Sequence, residues 1–73
     1  MKMKEITVMV EWLVENKPFE FRQYLKDNFN CFGWALENWN TKNRVNAIND
    51  IIQQIFDFGL SVQMEIMEEL VYA

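Results

Sequence analysis

Histidine is absent from the 73 residues of this chain. With it goes the commonest general base and the commonest metal ligand. One cysteine, Cys31, cannot form an internal disulfide, and without histidine it cannot complete a structural zinc site of the usual kind. The same gap removes every Ser/His/Asp and Cys/His arrangement for nucleophilic catalysis. Two glycines, Gly33 and Gly59, cannot build a phosphate-cradling loop, and no acidic, glycine-centred calcium loop is present. Only paired carboxylates are left for chemistry. Glu11 and Glu15, and Glu65 and Glu69, would each lie one turn apart on a helix, a spacing that ordinary solvated helix faces also carry. The expectation is a protein that is not an enzyme and holds no metal or cofactor.

Long apolar runs are missing too. None approaches the roughly 20 residues of a membrane span, and Glu5 and Glu11 break what would be the apolar segment of a signal peptide. Small secreted domains usually carry several cysteines. These absences point to a soluble, cytoplasmic protein. Cys31 has no cation beside it in sequence to lower its pKa, and reads as an inert, structural thiol.

What is abundant is apolar side chain. Ile, Val, Leu, Met, Phe, Trp and Tyr account for 33 residues, while a chain this short buries only about 60% of its unfolded surface. Some of that surplus must be exposed, and exposed apolar patches mark contacts with a partner or with a second copy. A homodimer and a hetero-complex are both consistent with it. The aromatic content of 15% and a charged fraction of 25% exclude a disordered chain. A single proline and two glycines argue for regular elements with short connections, in one domain spanning residues 1–73.

Helical spacing is clearest from Thr41 to Phe58. Val45, Ile48, Ile52 and Ile55 form an apolar stripe that Ile51 and Phe58 widen, opposite a polar stripe of Asn46, Asp50, Gln53 and Asp57. Asn40 or Thr41 can cap its start, and Gly59 suits a left-handed C-terminal position. Pro18 opens a second helix, running to Asp27-Asn28, with Phe21, Tyr24, Leu25 and Phe29 on one face. A short helix is expected over Trp34–Trp39. The two ends are ambiguous. Ile6, Val10, Leu13 and Val14 fit a helix, yet Ile6, Val8, Val10, Trp12 and Val14 alternate like a strand. The C-terminal segment reads as a helix capped by Ser61. It carries one stripe of Leu60, Met64, Met67 and Val71 and another of Val62, Ile66 and Leu70. The expected fold is therefore all-α, a compact bundle of four to five short helices. The alternative is α+β, with residues 4–14 and 61–67 as paired strands.

Charge is unevenly placed. Residues 1–44 hold seven basic and six acidic side chains, whereas residues 45–73 hold five acidic and none basic. Those five, Asp50, Asp57, Glu65, Glu68 and Glu69, would form a one-signed surface if the last two helices pack side by side. Such a field steers association with a basic partner. It also keeps a protein soluble.

The densest aromatic stretch is NFNCFGWALENWN, residues 28–40. Phe29 and Phe32 are expected in the core. Trp34 and Trp39 are five residues apart, about 500° of helical turn, so they point to different sides. The flanking Asn38 and Asn40 select Trp39 as the exposed one. Tryptophan is enriched at interface hot spots. The candidate partner-binding residues are thus Trp34, Trp39, Asp50, Asp57, Glu65, Glu68 and Glu69.

The functional expectation is a small acidic protein that binds another protein, one with a basic, nucleic-acid-binding surface being the natural fit. Eight asparagines against three alanines, with much Ile, Phe and Lys, suit coding from an A/T-rich genome. The preferred version is a phage or mobile-element inhibitor of a host enzyme or defence complex, anti-CRISPR-like, acting in the host cytoplasm. Partial nucleic-acid mimicry would be one route. The alternatives are a self-assembling helical homodimer with a structural or adaptor role, and a small nucleic-acid-binding regulator. Direct nucleic-acid binding fares badly on an acidic chain, since affinity there comes mainly from cations on phosphates.

Overall fold

The computed structural model describes residues 2–73. Both ambiguous ends are helical. α1 runs Met3–Asn16, α2 Pro18–Asn28, α3 Gly33–Glu37, α4 Arg44–Phe58 and α5 Leu60–Ile66, which continues directly into a π-helical turn, Met67–Val71. No strand occurs among the described residues, and the architecture is an all-α bundle. α1 packs on α4, on α2 and on the π turn, while α4 also carries α3 and α5. The Cα radius of gyration is 11.1 Å, against about 11 Å for a compact chain of this length.

In α1, packing overrides local preference. Its β-branched residues favour a strand, but only a helix brings Ile6, Met9, Val10 and Leu13 onto one buried face. Thr7 adapts by donating from Oγ1 to the Met3 carbonyl at 2.9 Å, the bond that lets threonine sit inside a helix. Of the five residues that alternate, Val8 and Trp12 are the ones left exposed.

α2 begins at Pro18, where the missing N–H costs nothing. Phe21 and Leu25 are buried, with Tyr24 and Phe29 packed against the core. α4 begins three residues later than Thr41. The Thr41 hydroxyl is used before the helix starts, accepting the Asn43 N–H at 3.0 Å, so neither Asn40 nor Thr41 is its cap. The polar stripe of α4 lies outward as its spacing requires. Val45, placed on the apolar stripe by spacing, is exposed, because in the first turn Ala47 meets the core instead.

Gly59 alone makes the corner between α4 and α5. Its φ of 103° and ψ of −171° belong to a region that only glycine occupies readily. Its N–H donates to Ile55 O at 3.2 Å, closing α4, and its carbonyl accepts the Gln63 N–H at 3.3 Å, opening α5. Ser61 therefore lies inside the first turn and does not cap it. Of the two C-terminal stripes, the second faces the core. Ile66 and Leu70 are buried and Val62 half-buried, while Leu60 and Met64 from the first stripe are exposed. The π turn closes with Tyr72 N–H on Met67 O at 2.9 Å. Lys17, at the α1–α2 junction, donates from Nζ to the Leu70 carbonyl at 2.7 Å and to that of Ala73 at 3.3 Å. A cation on terminal helix carbonyls is favourable both as a hydrogen bond and against the helix dipole.

Gln63 is the exception in the core. It is 6% exposed, and its Oε1 has no hydrogen-bond partner. A buried unsatisfied carbonyl costs about 1–3 kcal/mol. Replacing it with methionine, similar in length and apolar, should raise stability by about 1 kcal/mol, or roughly 4–8 °C in Tm. Thermal denaturation followed by circular dichroism checks this; a lower Tm would mean the amide is needed where it is.

Candidate functional site

The tryptophans divide as their spacing requires, but in the opposite sense to that suggested by their neighbours. Trp39 is 2% exposed and Trp34 is 51% exposed. Trp39 meets the edge of Phe21, ring centres 6.2 Å apart. The guanidinium groups of Arg22 and Arg44 lie 5.4 and 5.5 Å from its ring centre, within cation–π range. Arg44 also donates from Nη1 to the Trp39 carbonyl at 2.7 Å and to Asn40 Oδ1 at 3.2 Å. The asparagines beside Trp39 do not mark solvent. Asn38 donates to Trp34 O at 2.9 Å and accepts on Oδ1 from Thr41 and Asn43. Asn40 receives Arg44. They tie the α3–α4 turn to itself and free Trp39 to turn inward. As a candidate for partner binding Trp39 is thus withdrawn, and Trp34 remains an exposed candidate.

The five acidic residues fall into two sets. Asp50 is half-buried and accepts from Gln54 Nε2 at 2.9 Å; that same nitrogen reaches the Cys31 carbonyl at 3.0 Å and pins the α2–α3 loop to α4. Asp57 is exposed and accepts from Gln53 at 3.2 Å. Glu65, Glu68 and Glu69 are exposed on α5 and the π turn. Glu65 and Glu69 face Tyr24 of α2, whose hydroxyl is buried. Burial first, then the Glu65 side chain at the hydroxyl, and then the charges of Glu65 and Glu69, push the Tyr24 hydroxyl up to about 12. Between the sets runs an aromatic chain in which Phe29 lies 6.2 Å from Tyr24 and 5.2 Å from Phe58. The outer face of α5 adds Leu60 and Met64, one turn apart and exposed, beside Glu65 and Glu68. Charge and apolar surface therefore coincide there.

A second feature has no counterpart among the predicted residues. Between α2 and α3 lies an open groove of about 640 Å³, walled by Phe19, Arg22 and Lys26 on one side and by Gly33, Leu36 and Glu37 on the other. Phe19 is 74% exposed. A smaller depression continues past Phe19 and Arg22 to Arg44. The signal for it was present in α2. Phe19 stands two residues, about 200° of turn, from Phe21, so the two cannot share a face. Phe19, Arg22 and Lys26 are three and four apart and must line up together.

Cys31 is exposed, in the loop that Gln54 pins. Among the described residues no three carboxylates or thiols gather closely enough to hold a metal ion, and no helix is long and apolar enough to cross a membrane. No protein-family model matches the chain, and neither the curated proteins nor the solved structures contain a match to it.

Two measurements follow from this geometry. In variants that keep a single tryptophan, iodide should quench Trp34 readily and leave Trp39 protected; strong quenching of Trp39 would mean that Arg22 and Arg44 do not cover it. In alkaline titration read by tyrosinate absorbance, Tyr24 should ionise near pH 12, and later than in the unfolded chain, where tyrosine titrates near 10. Because the folded value is the higher one, the stability linked to Tyr24 is fully present below about pH 10 and is lost as pH rises from there towards 12. Tyr24→Phe should abolish that loss, as denaturation midpoints across the range would show.

Proposed function

We propose that this chain is a non-catalytic docking protein that binds a basic surface of another protein through the outer face of α5 and the π turn. The observation that carries this reading is the coincidence of exposed Leu60 and Met64 with exposed Glu65, Glu68 and Glu69. They lie in a part of the chain with no cation after Arg44. The apolar pair supplies contact area, and the one-signed charge supplies steering and orientation. Trp34, exposed on α3, is a further anchor of the type that dominates interface energetics. The absence of histidine and of any thiol pair supports a binding role over a catalytic one.

Within this class, the version preferred is an inhibitor encoded by a phage or mobile element and acting on a host enzyme or defence complex. The partner surface it covers would be basic, such as one built to hold nucleic acid. The acidic balance and asparagine-rich composition support it. The test is capture and identification of a partner by the immobilised chain, repeated with Glu65→Lys/Glu68→Lys. The double variant should keep the helical circular dichroism and lose affinity at least about tenfold, equal to about 1.4 kcal/mol. Binding by the native chain should weaken as salt rises. Equal affinity of the two proteins, or a flat salt response, would remove the acidic face from the contact.

A further inference from the structure

The groove between α2 and α3 and the outer face of α5 are complementary in charge, and each exposes apolar side chains. Amphipathic helices enter apolar grooves through anchors at positions i and i+4. Leu60 and Met64 are such a pair, about 6 Å apart along the helix, and both are exposed. The groove offers them Phe19 and the half-buried Leu36 as apolar walls. Its charged rim is Arg22 and Lys26 against the single carboxylate of Glu37, and Arg44 borders the adjoining depression. The helix that would enter carries Glu65 and Glu68 beside its anchors and no cation at all. Phe19, exposed in the protein alone, would be covered by this contact.

We infer that the occupant of the groove is a second copy of this chain, whose α5 lays Leu60 and Met64 between Phe19 and Leu36 while Glu65 and Glu68 meet Arg22 and Lys26. The contact is heterologous: the groove of one copy takes the ridge of the next. It does not close on itself in a pair, so assembly continues into a ring or an open chain. It uses the same face of α5 as the docking surface proposed above. A basic partner protein would therefore compete with self-assembly, and a test on pure protein separates the two.

Gly33 supplies the means to block the groove without disturbing the fold. It lies at the start of α3 with ordinary helical backbone, and a Cβ added there meets no atom within 4 Å. Gly33→Leu therefore fills the groove and leaves the ridge intact, whereas Met64→Lys spoils the ridge and leaves the groove intact. Mass is measured by light scattering and sedimentation equilibrium from micromolar to millimolar protein. The native chain should grow in mass with concentration and dissociate as salt is raised. Each variant alone should stay at the mass of one chain with native circular dichroism. An equimolar mixture should form pairs and stop there, because the only groove and ridge still competent lie on different chains. A native protein that stays monomeric at millimolar concentration overturns the inference, as does a mixture that forms no pairs or a variant that still assembles. A monomer whose groove is instead filled by an added acidic helical peptide, or by single-stranded DNA, in a manner that Gly33→Leu abolishes, overturns it equally by assigning another occupant.

Discussion

Trp39 under its two arginines is the contact on which the arrangement of this small bundle turns. The ring meets Phe21 of α2, and Arg22 from the next position on that helix reaches over it. Arg44, the first residue of α4, covers it as well and holds its carbonyl. α2, the turn after α3 and the first residue of α4 are thereby fixed about one indole. The arrangement needs arginine more than it needs charge. A guanidinium lies flat on an aromatic ring while its remaining donors stay available, which a lysine ammonium cannot do. With Arg22 turned to Trp39, its helix presents Phe19 and Lys26 on the same side, and α3 becomes the facing wall. The groove is a consequence of how the tryptophan is buried.

At the other end, one residue decides the outcome. Gly59 turns the chain with no loop, so α5 must start at once and its inward face is set by the corner. That orientation buries Gln63, Ile66 and Leu70 and leaves Leu60 and Met64 in solvent. The cost is visible in Gln63, a polar side chain taken into the core without a partner for its oxygen. Lys17 holds the far end by capping the Leu70 carbonyl from the α1–α2 junction. The last segment is thus secured at both ends, and its exposed apolar pair is displayed on a fixed element.

How much of this could be read from the chain alone depends on whether the evidence is local. The α4 helix was legible because isoleucine spacing, a polar stripe and a terminal glycine all agree. Pro18 announced α2 for an equally local reason. The choice between Trp34 and Trp39 was not legible from adjacent residues, since asparagine serves solvent and turn bonding alike. Only the fold shows that Asn38 and Asn40 are spent on the turn and on Arg44. The two apolar stripes of the C-terminal segment compete on equal terms until α1 and α4 are in place. Phe19 is the instructive case: helical spacing already separated it from Phe21, and the residues that line up with it are cations. The groove itself depends on the facing wall, and an element as short as α3 carries too little pattern to specify its own orientation.

The charge asymmetry acquires a different meaning once the fold is known. In sequence it divides a nearly balanced first part from an acidic second part. In space the acids do not make a uniform sheet, because Asp50 is bound to Gln54 at the Cys31 loop while Glu65 and Glu69 stand over Tyr24. What remains is a narrower feature, the exposed carboxylates of Glu65 and Glu68 beside exposed Leu60 and Met64. The cations are also partly committed, Lys17 to helix carbonyls and Arg44 to Trp39. Lys26 and the rim side of Arg22 are what the groove has to offer. Opposite charges of moderate number, each set beside exposed apolar side chains, favour oriented contact over diffuse attraction. Long-range field alone would be screened within about 8 Å at physiological salt. Apolar area without charge would not fix a direction. Each of the two faces joins both ingredients, and that combination is what suits them to the docking roles proposed above.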